Sequence, residues 1–561
     1  MSKVDNRSSK ILHGVNAAFA RSLYKSMGFS DDELINKPVI GIANSWTTLV
    51  PGHFNLNQIS EFVKKGIYAG GGMAVEFGVI GCCDGIANGH EGMKYILPSR
   101  EIICNSVEIV VQAHKLDGIV LLASCDKIIP GMLMAAARLD IPAIVVNGGP
   151  MLGGAEFDGR KTDATSVDEA IGMLAAGKIS EETVLELENV ACPTCGSCAF
   201  YGTANTMGCI TEAIGMSLPG SALIPAPYAD RLRTAYYSGK QICQLIDKGI
   251  SARDIITEDA VRNSIKVTMA TCGSTNAVLH LSAIAHEAEL KMNVMEEFTH
   301  WNKVTPQIAK VNPSSKWDME DFYRAGGIPR VMKNLEELVH GDVMTVTGKT
   351  MKANLDAYDF QYKENLELIK TMEDPFSNTG GLSVLRGNLA PDTAISKPGA
   401  FDKSLHHFEG IAKVYNTEEE ANASILAGDV QDGDVVVIRY EGPKGGPGMR
   451  EMYKALKFLY GMGLNLTTAV ITDGRFSGTN NGCFVGHISP EAAEGGPLAI
   501  VKNGDKIIID VDEGILQMVL SQEEIDHRLL AWKRPEKRVP KGYLSLYARV
   551  ASSADKGAVI L

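Results

Sequence analysis

The sequence predicts an α/β protein, with an N-terminal domain on a parallel sheet, a helical middle region and a C-terminal β-barrel-like domain. Three observations carry this expectation. Between residues 38 and 149, apolar β-branched runs alternate with segments of helical spacing, the pattern of βαβ units. From about 160 to 375 the apolar spacing is mostly helical. Beyond about 380 the apolar runs are short and end in Gly and Asp turns, as in a barrel.

Taken in order, "PVIGIA" (38–43) reads as a strand and "FNLNQISEFVKKGIYAG" (54–70) as the helix after it. "MAVEFGVIG" (73–81) precedes the helical "REIICNSVEIVVQAHKL" (100–116), and "GIVLLAS" (118–124) precedes "MLMAAARL" (132–139). "PAIVVNGG" (142–149) closes the series. The middle region contains "TSVDEAIGMLAAGKIS" and "STNAVLHLSAIAHEAEL", both of clear helical spacing. The Gly-, Pro- and Asn-rich stretch 374–393 marks the expected boundary, giving domains 1–380 and 381–561. After it, "DGDVVVIRY" (432–440), "TTAVITDG" (467–474), "LAIVKNGDKIIIDVD" (498–512) and "GILQMVL" (514–520) predict a compact all-β unit. The final "GYLSLYARVASSADKGAVIL" begins as a helix and is expected to dock back on the N-terminal domain.

A chain of 561 residues, 45% hydrophobic and 22% charged, can bury a sizeable core in two or more domains. Its net charge of −13 argues against nucleic acid as a main partner. "MSKVDNRSSK" has no apolar leader core, and no run approaches the ~20 apolar residues of a membrane span. The expected location is therefore the cytoplasm, with no membrane partner. Eleven cysteines, an odd number, point away from a disulfide framework and toward metal or catalytic use.

The candidate chemistry lies at the strand ends, where open parallel sheets bind ligands. They finish in Asn44-Ser45, Cys82-Cys83-Asp84, Cys125-Asp126-Lys127 and Asn147-Gly148-Gly149. Thiolates suit iron and carboxylates suit hard cations such as Mg²⁺, so Cys125 beside Asp126 and Cys83 beside Asp84 suggest two metals with different tasks. "CPTCGSC" supplies Cys192, Cys195 and Cys198. Without a second C-x-x-C it fits an iron–sulfur cluster better than a zinc ribbon. The Lys127 ammonium is out of place beside a cation unless it is deprotonated or carries a carbamate. The Gly-rich "EGPKGGPGMREM" (441–452) lacks a P-loop pattern and is read as bringing backbone close to a ligand, with Glu451 either functional or a helix cap. "ITDGRFSGTNNG" (471–482) presents Asp473, Arg475 and Ser477 in a tight turn. A serine there acts as a base only if a cation lowers its pKa. His53, His90 and His487 read as supporting residues.

These segments resemble the dihydroxy-acid dehydratase / 6-phosphogluconate dehydratase family. "CDKIIPGM" and "ITDGRFSG" resemble its two signature motifs. "VPGH", "PSRE", "CPTCGSCAFYGTANTM", "EGPKGGPGM" and "SADKGAV" match its dihydroxy-acid dehydratase branch in order, from about residue 10 to 560. The resemblance implies a hydro-lyase that converts 2,3-dihydroxy carboxylic acids to 2-keto acids. The substrates implied are 2,3-dihydroxy-isovalerate and 2,3-dihydroxy-3-methylvalerate, in valine and isoleucine biosynthesis. It also implies an iron–sulfur cluster, Mg²⁺ and a homodimer or dimer of dimers.

By motif, the resemblance makes Cys125 and Cys198 cluster ligands. It makes Asp84, Asp126, Glu451 and carbamylated Lys127 the Mg²⁺ ligands, and Ser477, as alkoxide, the base at C2. The cluster iron is then a Lewis acid on the C3 hydroxyl. Some members carry a Cys just after the Pro of "VPGH"; here Gly52 stands there. The third cluster ligand is then Cys83, Cys192 or Cys195. The spare cysteines incline the reading to 4Fe–4S with one open iron, 2Fe–2S being the alternative. Two other functions compete: a sugar-acid (aldonate) dehydratase of the same family, and a non-catalytic iron–sulfur or zinc protein.

Overall fold

Four of the apolar runs become strands of one parallel sheet: β1 (Val39–Asn44), β2 (Met73–Gly78), β3 (Gly118–Ala123) and β4 (Ala143–Asn147). The order is β2-β1-β3-β4, and every pairing is parallel. Strands β1, β3 and β4 are buried along their whole length, because crossover helices cover both faces. Those helices are Leu56–Ala69, Ile96–His114 and Ile128–Leu139. This computed structural model describes residues 6–478, 482–536 and 539–561. Part of the N-terminal segment read for a leader, and part of the 471–482 turn, lie outside them.

Beyond a two-residue hairpin of β5 (Glu156–Phe157) and β6 (Arg160–Lys161), the middle of the chain is helical. The second sheet closes into a barrel. Its strands are β7 (Ser383–Gly387), β8 (Ala390–Ser396), β9 (His407–Tyr415), β10 (Asp434–Ile438), β11 (Ala469–Thr472), β12 (Cys483–Ser489), β13 (Lys506–Asp510) and β14 (Ile515–Met518). The order around the barrel is β10-β11-β12-β8-β7-β14-β13-β9.

The all-β expectation for this region needs correction. Strands β9 to β12 pair in parallel, and parallel neighbours need crossovers. Helices Glu418–Leu426 and Lys454–Met462 supply two of them. The run 498–512 is also only partly strand, since Pro497–Ile500 is a 3₁₀ turn.

Barrel and sheet are clamped together, and the clamp positions the site. Helix Ala164–Ala175 meets helix Lys454–Met462 at two glycines. A Cβ on Gly461 would lie 2.3 Å from the Glu169 carbonyl, and one on Gly172 would lie 2.8 Å from that of Phe458. In the same contact, Lys457 Nζ pairs with Glu169 Oε1 at 2.7 Å, both fully buried. The Gly-rich 441–448 turn packs on backbone: a Cβ on Gly448 (φ +92°) would lie 1.9 Å from the Lys94 carbonyl. The glycines of this turn thus allow a close approach to the N-terminal half of the chain. Beyond the barrel, helix Tyr543–Val550 and the tail return to the "PSRE" segment. Tyr543 Oη donates to the Pro98 carbonyl (3.0 Å) and Arg100 Nη2 to that of Gly557 (2.8 Å).

Candidate active site

Two strand ends deliver the first donors. After β2, Cys83 precedes the short helix Asp84–Ala87. After β3, residues Ser124 to Lys127 form the turn into helix Ile128–Leu139, so Cys125, Asp126 and Lys127 stand at the mouth of the sheet. Cys198 arrives separately. Its neighbour Ser197 forms a parallel bridge with Pro150 just past β4. Asn205 holds this segment, its amide donating to the Cys198 carbonyl (2.6 Å) while its oxygen accepts from Ser197 Oγ (2.9 Å).

Asp84, Asp126 and Glu451 each place a carboxylate oxygen within 4.8 Å of the others. Asp126 and Glu451 are buried and Asp84 is partly so. The fully buried Lys127 ammonium contacts Asp126 and donates to Glu451 Oε2 at 3.1 Å. That same oxygen accepts from Arg475 Nη1 (2.6 Å) and Asn276 Nδ2 (2.8 Å). Glu451 is therefore no helix cap: it forms a β-bridge with Arg475, and the helix begins at Lys454. Arg100 Nη1 donates to His280 Nδ1 (3.3 Å), which leaves the proton on His280 Nε2, facing Asp126 Oδ1 at 3.8 Å.

The electrostatics follow from burial and crowding. Burial, reinforced by the charge of Asp126, pushes the Asp84 carboxyl well up. Burial also opposes ionisation of Asp126, but the Lys127 ammonium, with the facing His280 and Asp84 side chains, holds it well down. The thiols form a second set. The neighbouring Cys125 thiol lowers Cys83 to about 7, and the Cys83 thiol together with burial pushes Cys125 well up. Burial likewise raises Cys198, and the charges of Asp84 and Cys83 add to the effect. Cys125 Sγ lies 3.7 Å from Asp84 Oδ1, so the two sets touch. Three crowded carboxylates can hold a divalent cation such as Mg²⁺, and three adjoining thiols can hold an iron–sulfur cluster.

From the barrel side, Ser477 is 6% exposed at the end of the turn after β11. Its backbone is pinned on both flanks. Thr275 Oγ1 donates to the Phe476 carbonyl (3.3 Å), and the buried Lys397 ammonium donates to that of Gly478 (2.7 Å). A Cβ on Gly478 would lie 2.7 Å from the Tyr201 carbonyl, so this turn presses on the segment that follows Cys198. His487 is buried with both ring nitrogens unpartnered among the described residues. Burial, then Arg475 and Lys127, lowers its pKa to about 3.

Not every singled-out residue belongs here. Cys192 is exposed and Cys195 half-buried, and neither feels the charges of the site. Asp473 is a loop staple, accepting from the backbone N–H groups of Tyr440, Glu441 and Ala492. His53 bridges Ser45 and Ser124, and His90 accepts from Gly92 N, both supporting roles. The strand ends at Asn44-Ser45 and Asn147-Gly148 brace their neighbours: Asn44 bonds Glu76, and Ser45 bonds the Leu122 carbonyl. Asn276 and His280 lie within helix Asn276–Glu287 and Lys397 just past β8, with no local motif to mark them, whereas Arg100 belongs to the "PSRE" segment.

The family model described as Dihydroxy-acid/6-phosphogluconate dehydratase N-terminal matches residues 37–354, and its C-terminal counterpart matches 367–558. A protein named dihydroxy-acid dehydratase from Caldanaerobacter subterraneus subsp. tengcongensis is 50% identical over 555 residues, covering 99% of both chains. One of the same name from Pyrococcus furiosus is 50% identical over 556 residues, 99% of this chain and 100% of its own. Another from Methanosarcina barkeri is 49% identical over 555 residues, again 99% and 100%.

Proposed function

The chain belongs to the dihydroxy-acid/6-phosphogluconate dehydratase family, and from that premise we propose that it is a hydro-lyase converting 2,3-dihydroxy carboxylic acids to 2-keto acids. The substrates are 2,3-dihydroxy-isovalerate and 2,3-dihydroxy-3-methylvalerate, and the role is in branched-chain amino acid biosynthesis. The observation that carries this is the pairing of a thiol with a carboxylate after two strands that flank β1, Cys83-Asp84 after β2 and Cys125-Asp126 after β3. A storage or sensing protein needs the thiols but has no use for three crowded carboxylates beside them.

In this proposal Asp84, Asp126, Glu451 and Lys127 as its carbamate hold Mg²⁺, while Cys125 and Cys198 hold an iron–sulfur cluster of 4Fe–4S type. When bound, these groups supply Lewis acidity to the carboxylate and hydroxyl oxygens of the substrate. The residues of the chain do the rest. Arg475 and Asn276 fix the rotamer of Glu451, and His280 faces Asp126. Ser477 Oγ, as alkoxide, accepts the C2 proton, the C3 hydroxyl departs, and the proton taken from C2 passes to it to give water. The enol left behind becomes the 2-keto acid, so no net oxidation occurs. Burial keeps bulk water from competing for the donor oxygens.

The proposed assembly is a homodimer or dimer of dimers. Val15, Phe19, Leu23 and Met27 leave an apolar face uncovered on and around helix Ala18–Ser26, which suits a second copy. Eleven free cysteines suit the cytoplasm, and among the described residues no helix is long and apolar enough to cross a membrane. The test is turnover by anaerobically purified protein on a panel of dihydroxy and sugar acids. The expected result is 2-keto acid from the two branched substrates, with gluconate and xylonate slower. No product from either branched substrate by protein carrying its iron would overturn the proposal.

A further inference from the structure

We infer that Cys83 is the third thiolate of the iron–sulfur site in this chain, taking the place that residue 52 leaves open. This rests on the proposed function, since it presumes that a cluster is held at Cys125 and Cys198. The argument is geometric. Cys83 directly precedes Asp84, whose Oδ1 lies 3.7 Å from Cys125 Sγ, and Cys83 packs against the same core cluster that holds Cys125.

The alternatives point elsewhere. Cys82 is turned away from its neighbour and packs with Ala87, Met93 and Ile96, as adjacent residues of an extended chain do. Cys192 is exposed beside Asp163, and Cys195 is half-buried. Gly52 explains why a thiol is needed from this side. A Cβ there would lie 3.3 Å from the Ser124 carbonyl oxygen and 3.3 Å from both Cα and N of Ser197. Ser124 and Ser197 immediately precede Cys125 and Cys198. Residue 52 is thus wedged between the two segments that carry those thiols, yet as glycine it offers no donor. The end of β2 supplies one from the opposite flank. Three protein thiolates leave one iron of a four-iron cluster free for substrate oxygen.

The test compares anaerobically purified wild type with Cys83→Ser, Cys192→Ser and Cys195→Ser. Iron and acid-labile sulfide per chain and the visible absorption are read, with circular dichroism to verify folding. Cys83→Ser is expected to lose at least about half of its iron and sulfide and to change its absorption, since iron loses a thiolate. The other two variants should keep both. Full iron and sulfide with an unchanged spectrum in Cys83→Ser overturns the inference. Alkylation of the wild type followed by mass spectrometry tests it without any substitution. Cys83, only half-buried, should resist labelling while iron is bound and react once a chelator strips it. Labelling of Cys83 in the iron-loaded protein overturns the inference as well. Wild type that binds no iron at all would instead sink the proposed function.

Discussion

The two flanks of the site are built by different means. On the sheet flank, local backbone places the donors that follow β2 and β3. Successive residues at the ends of β2 and β3 set a thiol toward one set of donors and a carboxylate toward the other. On the barrel flank, Glu451 and Ser477 reach their positions only through docking. Gly448 must slide under Lys94, Gly461 against Glu169, and Arg475 and Asn276 must then grip the Glu451 carboxylate. Local geometry makes the sheet flank robust, whereas the barrel flank depends on contacts between residues far apart in sequence.

The largest effects should separate the flanks cleanly. Cys125→Ser or Cys198→Ser removes a thiolate on the sheet flank, so visible absorption and turnover should vanish together. Either variant with full iron and sulfide would break the ligand assignment. Ser477→Ala acts on the barrel flank alone. Iron content, spectrum and Mg²⁺ binding should stay near wild type, while turnover falls by roughly 10²–10⁴-fold, the usual worth of a general base. Exchange of the C2 proton with solvent should fall with it. A variant keeping more than about a tenth of wild-type turnover would return Ser477 to an ordinary turn residue.

A smaller effect probes the docking itself. The Cβ of Gly461→Ala would fall 2.3 Å from the Glu169 carbonyl, and helix backbone yields little there. Overpacking of this kind costs about 1–3 kcal/mol. If the barrel flank depends on docking, the variant should lose Mg²⁺ affinity and turnover while retaining its iron. Loss of iron in step with Mg²⁺ would show the two flanks to be a single unit.

The same division explains what the sequence could reveal. The parallel strands, their order of appearance and the donors at their ends are local, and periodicity with flanking residue types makes them legible. The third thiol is not. Cys192 and Cys195 have better motif spacing than Cys83, but spacing does not say which way a thiol points. Asn276 and His280 sit inside a helix and Lys397 just past β8, where nothing in their neighbours marks them. The Gly-rich 441–448 turn announces close approach, but its sequence is silent on whether backbone or ligand is approached. In the barrel region, short strands dominate the pattern and hide helices Glu418–Leu426 and Lys454–Met462.

The smallest expected effect lies on the sheet flank, at His53. Its ring is fully buried, with Nδ1–H donating to the Ser45 carbonyl (2.7 Å) and Nε2 accepting from Ser124 N (3.3 Å). Both contacts require the neutral ring. Protonation would bury a charge and set a new N–H against that of Ser124. Burial accordingly lowers the pKa to about 4, against about 6.5 for an unperturbed histidine. A folded-state pKa below the unfolded value means that the contribution to stability is complete above about pH 6.5 and is lost as pH falls toward about 4. Between pH 8 and pH 5 the loss is about 2 kcal/mol. Gln at this position can make both hydrogen bonds and does not titrate. His53→Gln should therefore lower the melting temperature slightly at pH 8, yet flatten its decline toward pH 5. If the wild type and the variant lose melting temperature in parallel over that range, the acid sensitivity of the sheet flank arises elsewhere, and the bridge between Ser45 and Ser124 is only a matter of packing.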